Sequence, residues 1–190
     1  MIFNSCKRIL DICGATLLLV VTSPLFVLIA AAVKLDSPGP VFYRQKRLGR
    51  KGQLFSILKF RSMKVGTPEV ATDRLLHPDH HITRTGKFLR KTSLDEIPQL
   101  FNILQGSMSF IGPRPSLHNQ RELNESRIRL GITAVRPGLS GYAQINGRDS
   151  IDDNQKLEYD LYYITNMSLR LDFYIFCKTL LQFMNLKNLK

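Results

Sequence analysis

The apolar and polar positions divide the chain near its start. Ile12 to Val33 is a run of 22 residues without a charge, ICGATLLLVVTSPLFVLIAAAV. As a straight helix it would rise about 33 Å, enough to cross a hydrocarbon core of about 30 Å. Ser23-Pro24 lies at its centre. Proline has no N–H, so the carbonyl one turn back loses its partner, and the ring crowds that turn. In lipid the orphaned carbonyl needs a local donor, and the Ser23 hydroxyl is well placed to be one. Lys7 and Arg8 flank one end of the run; Lys34, Arg44, Lys46, Arg47, Arg50 and Lys51 follow the other. Basic flanks favour the cytoplasmic face, so both ends are drawn to the same side. We therefore expect a re-entrant membrane helix broken at Ser23-Pro24, with a simple span and a buried soluble helix as the alternatives.

Beyond this run the periodicity changes. Val41–Arg44 and Gln53–Phe60 are rich in β-branched and aromatic residues, with Gly49 and Gly52 between them, which predicts a β-hairpin with a basic turn. Residues 66–83 are polar and irregular. His77, His80 and His81 in this stretch read as solvated side chains before they read as metal ligands. Leu94, Ile97, Leu100, Phe101 and Leu104 have helical spacing, and Gly106 is a good stop. A charged helix is expected over 116–130, a glycine-containing loop over 136–148, and two further helices over 152–164 and 169–187. The last has an apolar surface broad enough to be core or to lie against a membrane. The fold class expected is α+β, mainly helical with a small β-hairpin, divided into an anchor over 1–36 and a domain over 37–190.

Composition narrows the partners. A chain of 190 residues suits one domain and is too short for a multi-span transporter with a soluble domain. The net charge is +12, but 44 % apolar content excludes a disordered polybasic tail. The first 68 residues carry +9 of that charge, which points to an anionic partner such as lipid headgroups, phosphorylated substrates or nucleic acid. Three cysteines, Cys6, Cys13 and Cys177, form no CxxC pair and fit a reducing compartment, where they read as small buried hydrophobes.

The candidate chemistry lies at Thr92-Ser93-Leu94-Asp95-Glu96-Ile97-Pro98. Ser93 with Glu96 spells a capping box. A helix starting with Asp95 as its cap would instead place Pro98 in the first turn, where proline is comfortable. Either way Asp95 and Glu96 sit at a helix start, which favours the ionised carboxylate. Both acids could simply cap. The functional reading is a carboxylate nucleophile beside a second carboxylate, the two able to hold Mg²⁺. Lys87, Arg90 and Lys91 precede the acids, and Gly112-Pro113-Arg114-Pro115 follows the helix. Two prolines stiffen the chain around one arginine, which suits presentation of a guanidinium to a phosphate. Lys59 and Arg61 on the second hairpin strand could face the same anion, and Arg136 and Arg148 bracket the glycine loop. Each cation alone reads as solvated surface charge; the set, with two acids and an apolar segment, suggests phosphate chemistry at a bilayer. No GxxxxGK[ST], GxGxxG or HExxH motif is present, so ATP hydrolysis, dinucleotide redox and zinc proteolysis lack support. A non-enzymatic, membrane-tethered basic module or an assembly scaffold would explain the charge, but not the Asp-Glu pair or the Pro-Arg-Pro loop.

These stretches resemble the monotopic phosphoglycosyl transferases, the bacterial sugar transferase family. The likeness is carried by KRILD (7–11), the Ser23-Pro24 pair, SPGPVFYRQKRLGRKG (37–52), KFRSM (59–63), the block from Thr83 to Pro115, RPGLSGYAQINGR (136–148) and DLYYITNMSLRLDFYIFCKTL (160–180). The length is similar to that of the family's short stand-alone form. The resemblance implies transfer of a sugar-1-phosphate from a UDP-sugar to polyprenyl (undecaprenyl) phosphate, with release of UMP. It also implies a ping-pong route and Mg²⁺, and it favours an N-acetylated amino sugar by analogy with other short members. Asp95 matches the family's nucleophile, Glu96 its partner carboxylate, and Arg114 the arginine of its Pro-Arg-Pro motif. Lys59, Arg61, Arg90, Arg136 and Arg148 are expected to bind substrate. The implied setting is the bacterial inner membrane, with a cytoplasmic catalytic domain carrying membrane-associated amphipathic helices, lipids and downstream glycosyltransferases as partners, and no nucleic acid. Tyr142 stands where a tryptophan is usual, and Met167 and Arg170 where aromatics are frequent.

Overall fold

In a computed structural model, which describes residues 2–70, 75, 77–147 and 150–184, the apolar run forms one helix, α1 (Ile2–Asp36). Its less exposed positions recur every three or four residues: Lys7, Asp11, Ala15, Leu19, Thr22, Phe26, Ile29 and Val33. That is a single stripe at helical period. The rest of the helix exposes large apolar side chains, including Leu17, Val20, Val21, Val27 and Leu28. Only 11 % of its most apolar stretch is buried, so α1 is not the core helix of a soluble protein.

The break expected at Ser23-Pro24 is absent as an interruption: helical structure continues through both residues. The reason is local. Ser23 Oγ donates to the Val20 carbonyl at 2.8 Å, the acceptor four residues before Pro24 that the proline cannot serve. Thr22 Oγ1 donates to Leu18 in the same way at 2.6 Å. Cys6 and Cys13 lie exposed on this helix rather than buried, because they fall off the stripe.

Both ends of α1 are tied to the rest of the chain by polar contacts. Near its start, Lys7 pairs with Asp172 at 2.6 Å and Arg8 donates to the carbonyls of Ile103 and Leu104 at 2.6 and 2.8 Å. Asp11 accepts from Ser109 Oγ and the Phe110 N–H. At its far end the Asp36 carboxylate accepts the Thr85 N–H at 2.9 Å.

The hairpin is present as expected. β1 (Phe42–Leu48) and β2 (Leu54–Phe60) pair antiparallel from Phe42↔Phe60 to Leu48↔Leu54. A 3-10 turn over Arg50–Gly52 joins them, with Lys51 at φ 57° and Gly52 at φ 74°. After a polar stretch come α2 (Pro78–His81), α3 (Arg84–Thr92) and α4 (Gln99–Gln105). Ile57 and Ala15 meet Leu100, Ile103 and Met108 in one core cluster; Phe60 meets Ile29, Val33 and Leu89 in a second. The stripe of α1 thus covers the hairpin and α4, with the Phe26 ring set among Phe42, Phe60 and Phe101.

The pattern did not reveal a second pairing, the parallel one between β3 (Ser109–Ile111) and β4 (Gly138–Ser140). The crossover between them carries α5 (Arg121–Arg129). α6 (Tyr142–Ile145), α7 (Asp153–Thr165) and α8 (Leu169–Met184) close the described chain. Asp152 and Gln155 form a capping box at the start of α7. Ile111, Tyr163 and Ile175 form a third cluster beneath α8, whose far side exposes Phe173, Phe176 and Leu181. The class is α+β, mainly helical with a small hairpin.

α5 and α7 are joined by a buried ion pair, Arg127 to Asp160 at 2.6 Å, with side chains 7 % and 1 % exposed. Arg127 also donates to the Arg114 carbonyl and so steadies the Pro-Arg-Pro loop. Breaking such a pair leaves a charge buried alone and costs about 3–5 kcal/mol. Arg127→Met is expected to lose that much in chemical denaturation, and Arg127→Met with Asp160→Leu to recover most of it. Equal losses in the single and double variants would contradict the pairing.

Candidate active site

The Asp95-Glu96 pair does not sit at the start of a regular helix. Ser93, left-handed at φ 56°, ends α3, and residues Leu94–Glu96 form a 3-10 turn. Ser93 makes no side-chain cap, and the residue before α4 is Pro98, not Asp95. Neither capping expectation holds. A helix begun at Ser93 would need the N–H that Pro98 lacks, and the chain instead makes a 3-10 turn over Leu94–Glu96. A helix begun at Asp95 would have tolerated Pro98, yet Asp95 lies within that turn and does not cap α4. The helix-dipole argument therefore does not account for this pair.

Neighbouring charges do. Glu96 Oε1 is engaged by Lys59 Nζ at 2.6 Å and by an Arg114 terminal nitrogen at 3.4 Å. Burial alone would push the Glu96 carboxyl up, but these two cations overcome it and hold it at about 2. Asp95 is buried, with 6 % exposed. Burial pushes its carboxyl above the ordinary range; Lys59 opposes this, the Glu96 charge adds to it, and Arg90 and Arg114 also oppose it. The environments thus drive two adjacent carboxyls apart, one firmly ionised and one more basic than usual. A carboxylate more basic than usual is the better nucleophile once ionised.

The cations expected at the site separate into two groups. Lys59, from β2, and Arg114 reach the acids directly, and Arg90, from the last turn of α3, acts on Asp95 through its charge. Arg61 and Arg136 do not come to the pair. Arg61 is 4 % exposed, and its guanidinium donates to the carbonyls of Val33, Ser37 and Pro38. It caps the end of α1, which is a structural task. Arg136 Nε donates to the Gly106 carbonyl at 2.8 Å, just past α4, whereas Asp95 lies before that helix begins. Arg148 falls outside the described residues.

Arg47 is the residue that sequence reasoning missed. Its guanidinium is gripped by Gln45 Oε1 at 2.6 and 3.1 Å and donates to the Pro115 carbonyl at 3.0 Å. Burial, with Arg114 repelling it and Glu96 attracting it, lowers it to about 10. The basic turn was visible in the sequence, but nothing local showed which of its cations turned inward. The Pro-Arg-Pro loop is further held by backbone contact. A Cβ on Gly112 would meet the Arg136 carbonyl oxygen at 2.5 Å, and one on Gly138 would collide with Gly112 itself. Tyr142, in the position usual for tryptophan, stacks on Tyr162 at 4.6 Å.

Among the described residues no group of three or more His, Cys, Asp or Glu could hold a metal ion. A closed protein cage for Mg²⁺ is therefore absent there. Magnesium in phosphate chemistry usually takes one or two carboxylates and completes its shell with waters and substrate oxygens. The adjacent acids Asp95 and Glu96, one kept ionised, fit that kind of site.

A family model described as "Bacterial sugar transferase" matches residues 2–186. The chain belongs to the bacterial sugar transferase family. Within that family it is 45 % identical over 175 residues to "UDP-glucose:undecaprenyl-phosphate glucose-1-phosphate transferase" of Escherichia coli K12, covering 87 % of this chain and 37 % of the relative. It is 40 % identical over 184 residues to "UDP-N-acetylgalactosamine-undecaprenyl-phosphate N-acetylgalactosaminephosphotransferase" of Aeromonas hydrophila, covering 94 % and 44 %. To "Exopolysaccharide production protein ExoY" of Sinorhizobium fredii it is 39 % identical over 189 residues, covering 92 % and 83 %. The chain thus spans about two fifths of the first two relatives and most of the third.

The two carboxyls should act on stability in opposite directions. For Glu96, held low, the contribution is present above about 4.5 and is lost as pH falls through about 2. For Asp95, held high, it is present at low pH and is lost as pH rises through the raised value. Carboxyl-carbon NMR should find Asp95 titrating above 3.8, and higher still in Lys59→Met, which removes the strongest opposing charge. An Asp95 titration unchanged in Lys59→Met would contradict this electrostatic reading.

Proposed function

We propose that the protein transfers a sugar-1-phosphate from a UDP-sugar to undecaprenyl phosphate. The observation that carries this reading is the Asp95-Glu96 pair: a buried carboxyl raised by its surroundings, beside one clamped by Lys59 and Arg114. It is supported by the undecaprenyl-phosphate transferases among the relatives.

The Asp95 carboxylate attacks the sugar-bearing phosphorus of the UDP-sugar. An Asp–O–P bond forms, the phosphoanhydride bond breaks, and UMP leaves with the electron pair. A phosphate oxygen of undecaprenyl phosphate then attacks the same phosphorus, the Asp–O–P bond breaks, and the carboxylate is restored. Arg114 and Arg90 stabilise charge on the transferring phosphoryl oxygens, and Arg47 holds the loop that presents Arg114. Lys59 keeps Glu96 ionised and limits the rise of Asp95. Asp95 and Glu96 are the residues that would hold Mg²⁺, which would neutralise diphosphate charge.

In this reading residues 1–36 are the anchor and 37–190 the catalytic domain. α1 is long and apolar enough to cross a membrane. Yet Lys7, Arg8 and Asp11 at one end and Asp36 at the other hold the same body. A helix that keeps both of its ends on the cytoplasmic face of the inner membrane agrees with those ties and with the basic flanks. It keeps the nucleophile at headgroup depth, where a lipid-borne phosphate can reach it, and leaves the product for downstream glycosyltransferases.

Labelled UMP should exchange into UDP-glucose or UDP-N-acetylgalactosamine in the absence of acceptor, since the first step alone is reversible. Asp95→Asn is expected to lose this exchange and to reduce full turnover by about 10³-fold or more. Normal turnover by Asp95→Asn would exclude the covalent route.

A further inference from the structure

A second basic site lies away from the acids. A cleft of about 430 Å³ opens beside the start of α1, with Lys7, Arg8, Asp11, Arg50, Arg136 and Tyr163 in its lining. Its cations come from α1, from the hairpin turn and from the segment leading into β4. Lys7 is neutralised by Asp172. Asp11 already accepts two hydrogen bonds, from Ser109 and Phe110. The terminal nitrogens of Arg8 are taken up by the carbonyls of Ile103 and Leu104, which leaves Arg50 and Arg136 as the cations of the cleft with the fewest partners.

The way these arginines are held matters. Arg50 is anchored through Nε to the Ala134 carbonyl at 3.1 Å, and Arg136 through Nε to the Gly106 carbonyl at 2.8 Å. Among the described residues, neither donates a hydrogen bond from its terminal nitrogens, the fork that grips a phosphate. Anchoring at Nε fixes each fork in advance, so little freedom is lost on binding. Partial burial, with Arg50 and Arg8 repelling it, holds Arg136 below the usual guanidinium range. Clustered like charges of this kind are relieved by an anion.

We propose that this cleft is a phosphate-binding site distinct from the Asp95 centre, gripping its anion through Arg50 and Arg136. The surroundings favour a phosphate carried by a lipid. Ile9 in the lining is 61 % exposed, and Phe173 and Phe176 lie exposed at 68 % and 45 % on α8, which the Lys7–Asp172 pair ties to α1. A headgroup in the cleft would have apolar side chains on both helices to receive its acyl chains. This choice of source rests on the membrane placement proposed above; the anion site itself does not.

The test uses the full chain exchanged into mixed micelles with equal phosphatidylglycerol and phosphatidylcholine, and native mass spectrometry to count retained lipid. Wild type should retain phosphatidylglycerol preferentially, and Arg50→Gln with Arg136→Gln should weaken retention about tenfold, or about 1.4 kcal/mol. Lys91→Gln on α3 controls for the loss of one charge and should retain it. Arg50→Lys with Arg136→Lys should restore part of the retention, which a folding defect in the Gln pair would not predict. If the Gln pair fails to fold, Arg50→Gln alone at the exposed turn carries the comparison. Displacement of the lipid by excess inorganic phosphate would assign the same site to phosphate from solution; resistance to it would assign a lipid headgroup. Retention in the Gln variants equal to that of Lys91→Gln would overturn the site. Flotation with phosphatidylcholine vesicles, expected for all variants, reads membrane association separately.

Discussion

The arrangement turns on Glu96. One carboxylate oxygen receives an ammonium from the hairpin and a guanidinium from the Pro-Arg-Pro loop, and the residue itself belongs to the turn before α4. Three segments far apart in sequence are thereby pinned around the neighbouring Asp95. A half-buried carboxylate needs such partners to stay charged, and the cations need it to be tolerated so close together. Without the clamp, Lys59, Arg47 and Arg114 would repel one another around Asp95. With it, the site holds a positive excess and one carboxyl raised above the ordinary range.

The supports of this clamp are themselves polar contacts made in sheltered places. Arg47 ties β1 to Pro115, Arg127 ties α5 to both Arg114 and Asp160, and the close approach of Gly112 and Gly138 sets the loop against β4. Arg61 does the equivalent for α1, closing its last carbonyls against the end of β2. The apolar helix is consequently part of the same rigid framework as the acids and not a loose tether. Under the proposed function, that coupling would fix the depth of the nucleophile at the membrane.

Much of this was legible in the chain where the determinant is local. β-branched and aromatic runs with glycines between them marked the hairpin. A hydroxyl beside Pro24 marked a donor for the orphaned carbonyl, although a break and not a continuous α1 was expected there. The acids and Pro-Arg-Pro were legible as one charged constellation because of their residue types, and the fold brings them together. What was not legible depends on partners distant in sequence. Arg61 and Arg136 look like Lys59 and Arg114 on paper, and only the fold sends the former to backbone carbonyls and the latter to Glu96. The β3–β4 pairing was hidden because three-residue strands carry too little period to register. The capping expectation at Ser93 failed because one proline three residues beyond Asp95 outweighs a good cap motif.

The central claim is that Asp95 carries the phosphosugar between substrates. It is tested most directly by mixing the protein with UDP-sugar alone and mapping the peptide that contains Thr92 to Pro98 by mass spectrometry. The expected result is a phosphosugar adduct on Asp95, matched by one equivalent of released UMP and discharged by undecaprenyl phosphate. No adduct, with UMP released only when both substrates are present, would contradict it.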